Sequence, residues 1–265
     1  MQDEFKQIIK KMCEKNNIEY KVLSKDWVIR ISKNGIVKFI VGMNFPLNDQ
    51  ASAAILRDKF ATYAVLKEGN VPVIEYNIIF NPTTRSEFIS DIDDLESYFN
   101  KQKNGAIVIK ANDGSSGKEV YKCTSYNEAK TIIDECFHTK DSLSVCPFYN
   151  IELEYRLVYL NGEVKLIFGK KAAPGNWKHN LSEGASVIND IDDDTKKKLI
   201  SIADDAVKAT NSTFASVDII KTNENELLVM EINSSVCLLK FAETSEENRI
   251  KAERIYEEAL LFSFI

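Results

Sequence analysis

The chain has 265 residues, 44% hydrophobic and 28% charged, a balance that supports a folded core and excludes a disordered chain. Acids outnumber bases 40 to 34, which argues against a general nucleic-acid binder. No apolar run approaches the ~20 residues that span a bilayer, and the start MQDEFKQIIKKM lacks the apolar segment of a secretory signal. Five scattered cysteines without a C-x-x-C pair point to reduced thiols in a cytoplasmic protein, and only two histidines, His138 and His179, exclude a His-rich metal centre.

In chain order, Phe5, Ile8, Ile9 and Met12 recur at helical spacing and predict a helix over 3–16. Short strands follow over 19–42 with a turn at Asn34-Gly35. One helix is expected over 48–70, stopping at Gly69-Asn70, then a strand over 71–80. A second helix over 84–102 precedes a strand over 105–111 and the turn-rich piece NDGSSGKE. Next come a helix over 127–138, strands around 142–149 and over 154–173, a long loop, and a helix over 192–211. Two strands over 214–233, joined across Thr222–Glu226, and an amphipathic helix over 245–264 close the chain. Helices and strands mix without strict alternation, which predicts an α+β fold with largely antiparallel sheets. No repeat of 20 to 50 residues is present.

Several residues carry chemistry. In LLVMEIN, Glu231 and Asn233 share a strand face because side chains alternate, and pairing with SVD would bring Asp218 to the same patch. Facing carboxylates repel, so a positive partner is expected, and oxygen donors of this kind suit Mg²⁺; solvated acids at a strand end are the alternative. The strand IVIK ends in Lys110 before Gly114, Ser115, Ser116 and Gly117, a loop able to cradle anions on backbone N–H groups. It fails the Walker pattern at Asn112 and Glu119, and an ordinary turn is the alternative. Lys59 lies on a helix, where a solvated side chain is the plainer reading, and Glu154 and Arg156 share a strand face as a structural ion pair would. Lys170, Lys171, Lys178, His179 and Asn180 cluster in a long Gly- and Pro-containing segment suited to an anion. The acids at 190–194 followed by lysines read as a helix start, SDIDDLE as a solvated helical face, and the Tyr256, Leu260, Leu261, Phe264 stripe as core or a homodimer contact.

The order of these pieces resembles the ATP-grasp superfamily: Asp58-Lys59-Phe60-Ala61-Thr62, IVIK, GSSG, CPFYN, EYRLVYLNG, KKAAPGNWKHNLSEGASV, SVD and VMEIN, over roughly residues 48–240. Their spacing is most similar to the branch holding cyanophycin synthetase, bifunctional glutathione synthetase and ribosomal-protein glutamate ligase. The resemblance implies two α/β subdomains with antiparallel sheets clamping a nucleotide, at 51–145 and 146–265, after a short α/β segment at 1–50. It implies ATP with one or two Mg²⁺ (or Mn²⁺), and carboxylate–amine ligation through an acyl-phosphate, acting on small-molecule or peptide substrates without nucleic acid or membrane. Lys59 and Lys110 would hold the α- and β-phosphates under the Ser115, Ser116, Gly117 loop. The Cys146, Phe148, Tyr149 hinge would take the adenine edge, and Glu154 the ribose. Arg156, Lys171, Lys178 and Asn180 would serve the transferred phosphoryl group, and Asp218, Glu231 and Asn233 the metal. Lys178 stands where arginine is usual, Ser234-Ser235-Val236-Cys237 replaces the usual segment after the asparagine, and the region before residue 48 is shorter than the usual substrate-binding domain. A phosphotransferase on the same fold is the alternative.

Overall fold

The computed structural model describes residues 2–24, 27–114 and 119–265. Helix α1 (Gln2–Lys15) packs its apolar face, Phe5, Ile9 and Met12, inward. Strands β1 (Glu19–Leu23), β2 (Val28–Lys33) and β3 (Ile36–Val41) form an antiparallel three-stranded sheet. Asn34 and Gly35 both take positive φ, 52° and 82°, as the predicted two-residue turn requires.

The helix expected over 48–70 is two: α2 (Gln50–Arg57) and α3 (Lys59–Glu68). Asp58 breaks it. Its extended backbone (φ −106°, ψ 113°) ends α2, while its side chain accepts from Ala61 N at 2.7 Å and caps α3. A short acidic side chain that can bond the backbone ahead of it favours a cap over a helix interior.

Only Asn77–Phe80 of the expected strand over 71–80 joins a sheet, as β4. Before it, Val73 bridges in parallel to Val229 and Ile74 N bonds Val229 O at 3.0 Å, so this segment crosses between two sheets. The helix expected over 84–102 shrinks to α4 (Leu95–Asn100), capped by Asp94. Upstream, Ser90 Oγ and Asp91 Oδ2 accept the backbone N–H groups of Phe80 and Ile78, so polar side chains cover the edge of β4 where helix was expected.

Strands β5 (Ile107–Ala111), β6 (Val120–Cys123) and β7 (Ser142–Pro147) join β4 in the order β4-β7-β5-β6, with α5 (Tyr126–Cys136) packed on one side. Strands β8 (Ile151–Leu160), β9 (Glu163–Lys171) and β10 (Ser186–Ile188) follow; helix α6 (Asp193–Ala209), capped by Asp192 as expected, leads to β11 (Phe214–Thr222) and β12 (Leu227–Asn233). These strands form an antiparallel sheet ordered β10-β9-β8-β11-β12. Helices α7 (Leu239–Ala242) and α8 (Glu246–Phe262) complete the chain. Strands β6 and β10 and helix α7 are short and lie where no element was expected.

One face of the five-stranded sheet packs on α6; the apolar half of the other joins α1, the N-terminal sheet and α8 in a single core where Tyr256 and Leu260 are fully buried. The remaining half of that second face is polar, and the site lies there.

Candidate active site between two sheets

Opposed residues of antiparallel strands share a face. Arg156 pairs with Asp218, Asp218 with Glu231, and Glu154 with Lys170, while Ser216 opposite Asn233 continues the row. Five charged side chains from four strands therefore meet on one side of the sheet. Arg156 clamps Asp218 through Nε at 2.8 Å and Nη2 at 2.6 Å; Lys170 Nζ bonds Glu154 and lies 3.3 Å from Asp218 Oδ1. Burial alone would raise the Asp218 carboxyl, but the charges of Arg156 and Lys170 outweigh it and hold it at about 2. Burial raises Glu154 against the pull of Lys170. The positive partner expected beside Asp218 is thus supplied within the chain.

Glu231 differs from its neighbours. Among the described residues it makes no ion pair; Asn233 Nδ2 donates to it at 3.1 Å and lies 3.4 Å from Asp218 Oδ2. Asp218, Glu231 and Asn233 thus converge, as their spacing predicts. Their oxygens are the hard donors that Mg²⁺ takes, and Glu231 makes no ion pair among the described residues, so the residues fit that ion.

Across a cleft stand two lysines. Lys110, the penultimate residue of β5, is 8% exposed and donates to Tyr76 Oη at 2.7 Å. Lys59 donates to Gly114 O at 2.6 Å and Asn112 O at 3.3 Å, and burial lowers its ammonium, opposed by Glu231. Neither makes an ion pair among the described residues. A buried ammonium with only neutral partners favours an anion strongly.

The cleft, about 920 Å³ and open to solvent, is apolar at its far end, where Ile74, Val108, Cys146, Ile220 and Met230 line it. A register shift between Asp218 and Ile219 makes Met230 an extra residue of β12, so consecutive Met230 and Glu231 both border the cleft. Phe148 and Tyr149 line the same end. The Phe148 N–H already bonds Ala106 O at 3.0 Å and its carbonyl accepts from Asn104 at 2.7 Å, so this residue contributes its ring, edge-on to Trp177, more than its backbone.

Other expected residues fall as follows. Lys178 lines the cleft, 3.5 Å from Glu183 and over the Trp177 ring, with Asn180 nearby. Ser115, Ser116 and Gly117 lie outside the described residues. Lys171 is a correction: it is exposed and borders a neighbouring groove, and Lys170 takes the site position. Pairing continued from Tyr159 opposite Val164 would put Lys171 on the face of Glu154. The shift between Val158 and Tyr159 moves β9 by one residue and turns Lys170 inward. Glu154 also differs from expectation, 5% exposed and committed to Lys170 instead of open to a ribose. No sequence signal marked Tyr76, and Lys170 and His179 were placed only in a basic segment suited to an anion; His179 Nδ1–H donates to Lys170 O at 2.8 Å and pins the loop to β9. An unbroken register from the Asn161-Gly162 turn would not have found Lys170.

Two sheets close on a cleft with lysines on one wall and an acid–amide hairpin on the other, in an α+β fold with antiparallel sheets. A family model for the RimK-like ATP-grasp domain matches residues 56–255, and the chain belongs to that family. It is 28% identical over 204 residues to a probable alpha-L-glutamate ligase of Stutzerimonas stutzeri, covering 76% of this chain and 63% of the relative. A protein of the same name from Pseudomonas fluorescens is 25% identical over 206 residues, covering 77% and 64%. The chain thus spans less than two thirds of the length of these relatives. Among solved structures, the Bacillus anthracis D-alanine–D-alanine ligase complexed with ATP shares the fold at TM-score 0.60 and 15% identity, covering 82% of this chain and 70% of that one. The Coxiella burnetii enzyme of that name aligns at TM-score 0.56 and 22% identity, covering 71% and 50%.

Proposed function

We propose that the chain is an ATP-dependent carboxylate–amine ligase, forming an amide through an acyl-phosphate and releasing ADP and phosphate. One observation carries this reading: Lys59 and Lys110, which make no ion pair among the described residues, face Glu231, which likewise makes none, at the polar end of a cleft whose other end is apolar. A purine suits the apolar end and a triphosphate the lysines. Asp218, Glu231 and Asn233 would hold Mg²⁺, which when bound neutralises charge on the phosphate oxygens.

The chain's own residues then act by position and charge. Lys59 and Lys110 fix the phosphates. Arg156, Lys170 and Lys178 line the stretch where charge accumulates as a substrate carboxylate oxygen bonds the γ-phosphorus and ADP leaves. An amine next attacks the acyl carbon, losing a proton as phosphate departs with the C–O bonding pair. No Ser, Cys or His nucleophile is needed. The glutamate-ligase names of the relatives support this class of reaction.

Purified protein given ATP, Mg²⁺ and pools of carboxylates and amines should release ADP and phosphate with a product lighter than its two precursors by one water. Glu231→Ala should lower turnover at least about a thousandfold. Wild-type rates in that variant, or a phosphorylated acceptor with no amide, would overturn the ligase reading.

A further inference from the structure

A second cleft, about 1120 Å³ and open to solvent, meets the first at Lys59, Gly114, Met230 and Glu231. A molecule lying in it reaches the junction where Lys59 and Glu231 border both clefts. Its far wall has a different origin. Trp27, Val41 and Asn44 come from the N-terminal sheet, before residue 56, where the family match begins. This wall therefore lies outside the matched family domain.

Its chemistry is specific. Trp27 is 51% exposed and Val41 39%, a large apolar shelf left open beside a polar site. The shelf is held in place: Gly42 N bonds Trp27 O at 2.9 Å, and a Cβ on Gly42 would stand 3.0 Å from the Trp27 ring at a positive φ of 60°, so glycine favours this close approach of the indole. Asn44 Oδ1 accepts from Ser234 Oγ at 3.2 Å, fastening the shelf to the loop after β12. Arg57, the last residue of α2, lines the same cleft; it is exposed and makes no ion pair among the described residues. Only Asp58 separates it from Lys59 at the junction.

We propose that the second cleft takes the amine substrate as an amino acid with a free carboxylate and a large apolar side chain. The carboxylate lies on Arg57, the side chain on Trp27 and Val41, and the amine at the Lys59–Glu231 junction. Guanidinium is the preferred planar partner of a carboxylate, and an aromatic ring beside it adds apolar area at low entropic cost. A second acidic side chain gains nothing on the shelf, so phenylalanine is favoured over glutamate. This proposal rests on reading the first cleft as the nucleotide site.

The test is calorimetric titration of L-phenylalanine, L-phenylalaninamide, glycine and L-glutamate into full-length protein, both free and saturated with Mg²⁺ and a non-hydrolysable ATP analogue. Phenylalanine should bind at least about tenfold more tightly than each of the other three. Arg57→Met should weaken it by about tenfold, Arg57→Lys less, with the affinity for the analogue unchanged. Trp27→Ala should weaken phenylalanine but not glycine. Equal binding of acid and amide, preference for glutamate, or indifference to Arg57→Met would overturn the proposal. Failure of the analogue to bind strikes at the nucleotide reading instead; the titrations into free protein still judge the second cleft.

Discussion

At the residue scale, the site is a problem of charge matching. Lys110 is buried against a phenol and needs an anion it does not find in the described chain. Lys110→Met should weaken an ATP analogue by at least about tenfold while leaving thermal stability equal or higher, because an uncompensated buried charge is removed; equilibrium binding and a melting curve check both. Asp218 behaves oppositely. Its carboxyl is held at about 2 against an ordinary 3.8, so its stabilisation is present above 3.8 and is lost as pH falls through about 2. The raised carboxyl of Glu154 works against this trend, taking up its proton at higher pH in the folded state. The stability advantage of wild type over Asp218→Asn, followed by denaturant titration from pH 6 downwards, should shrink by about 2 kcal/mol on reaching pH 2. An advantage independent of pH would contradict the ion-pair account.

At the element scale, single residues decide where segments end and which way they face. Asp58 both stops α2 and caps α3, placing Lys59 at the first turn of α3 and against the Asn112–Gly114 carbonyls. Asp58→Ala should cost about 1 kcal/mol, lowering the melting temperature by about 2–4 °C. It should also reduce nucleotide affinity, as fusion of the two helices would swing Lys59. Local pattern alone could not reveal this break, since residues 50–68 keep helical spacing throughout. The Glu231–Asn233 pair was legible because no shift falls between them, whereas the Lys170–Lys171 choice was not, because a one-residue shift at Val158 reverses the face. The segment 84–94 reads as helix from its periodicity, yet its Ser90 and Asp91 side chains serve the edge of β4.

For the whole molecule, the main core is shared: Phe5 of α1, Phe45 before α2, Phe214 of β11 and Tyr256 of α8 pack ring to ring. Tyr256 also accepts from Leu238 N at 2.7 Å and donates to Val236 O at 3.2 Å, fixing the chain just after the β11–β12 hairpin. Tyr256→Phe should destabilise by about 1–3 kcal/mol through the stranded Leu238 N–H, read from denaturant unfolding. The helical stripe containing Tyr256 and Leu260 therefore belongs to the core. No helix among the described residues is long and apolar enough to cross a membrane.

The order and type of most elements were carried by local pattern, because alternation and capping act over a few residues and survive without a fold; the family, and with it the candidate residues Lys59, Lys110, Arg156, Asp218, Glu231 and Asn233, came from the order of motifs along the chain. Tertiary structure alone decided which cation neutralises which carboxylate, that Lys170 and not Lys171 lines the first cleft, that residues 71–76 stitch two sheets together, and that Trp27 and Glu231 line one cleft. Each of these depends on strand register and on contacts between distant segments, where a one-residue shift changes the neighbours of every side chain that follows.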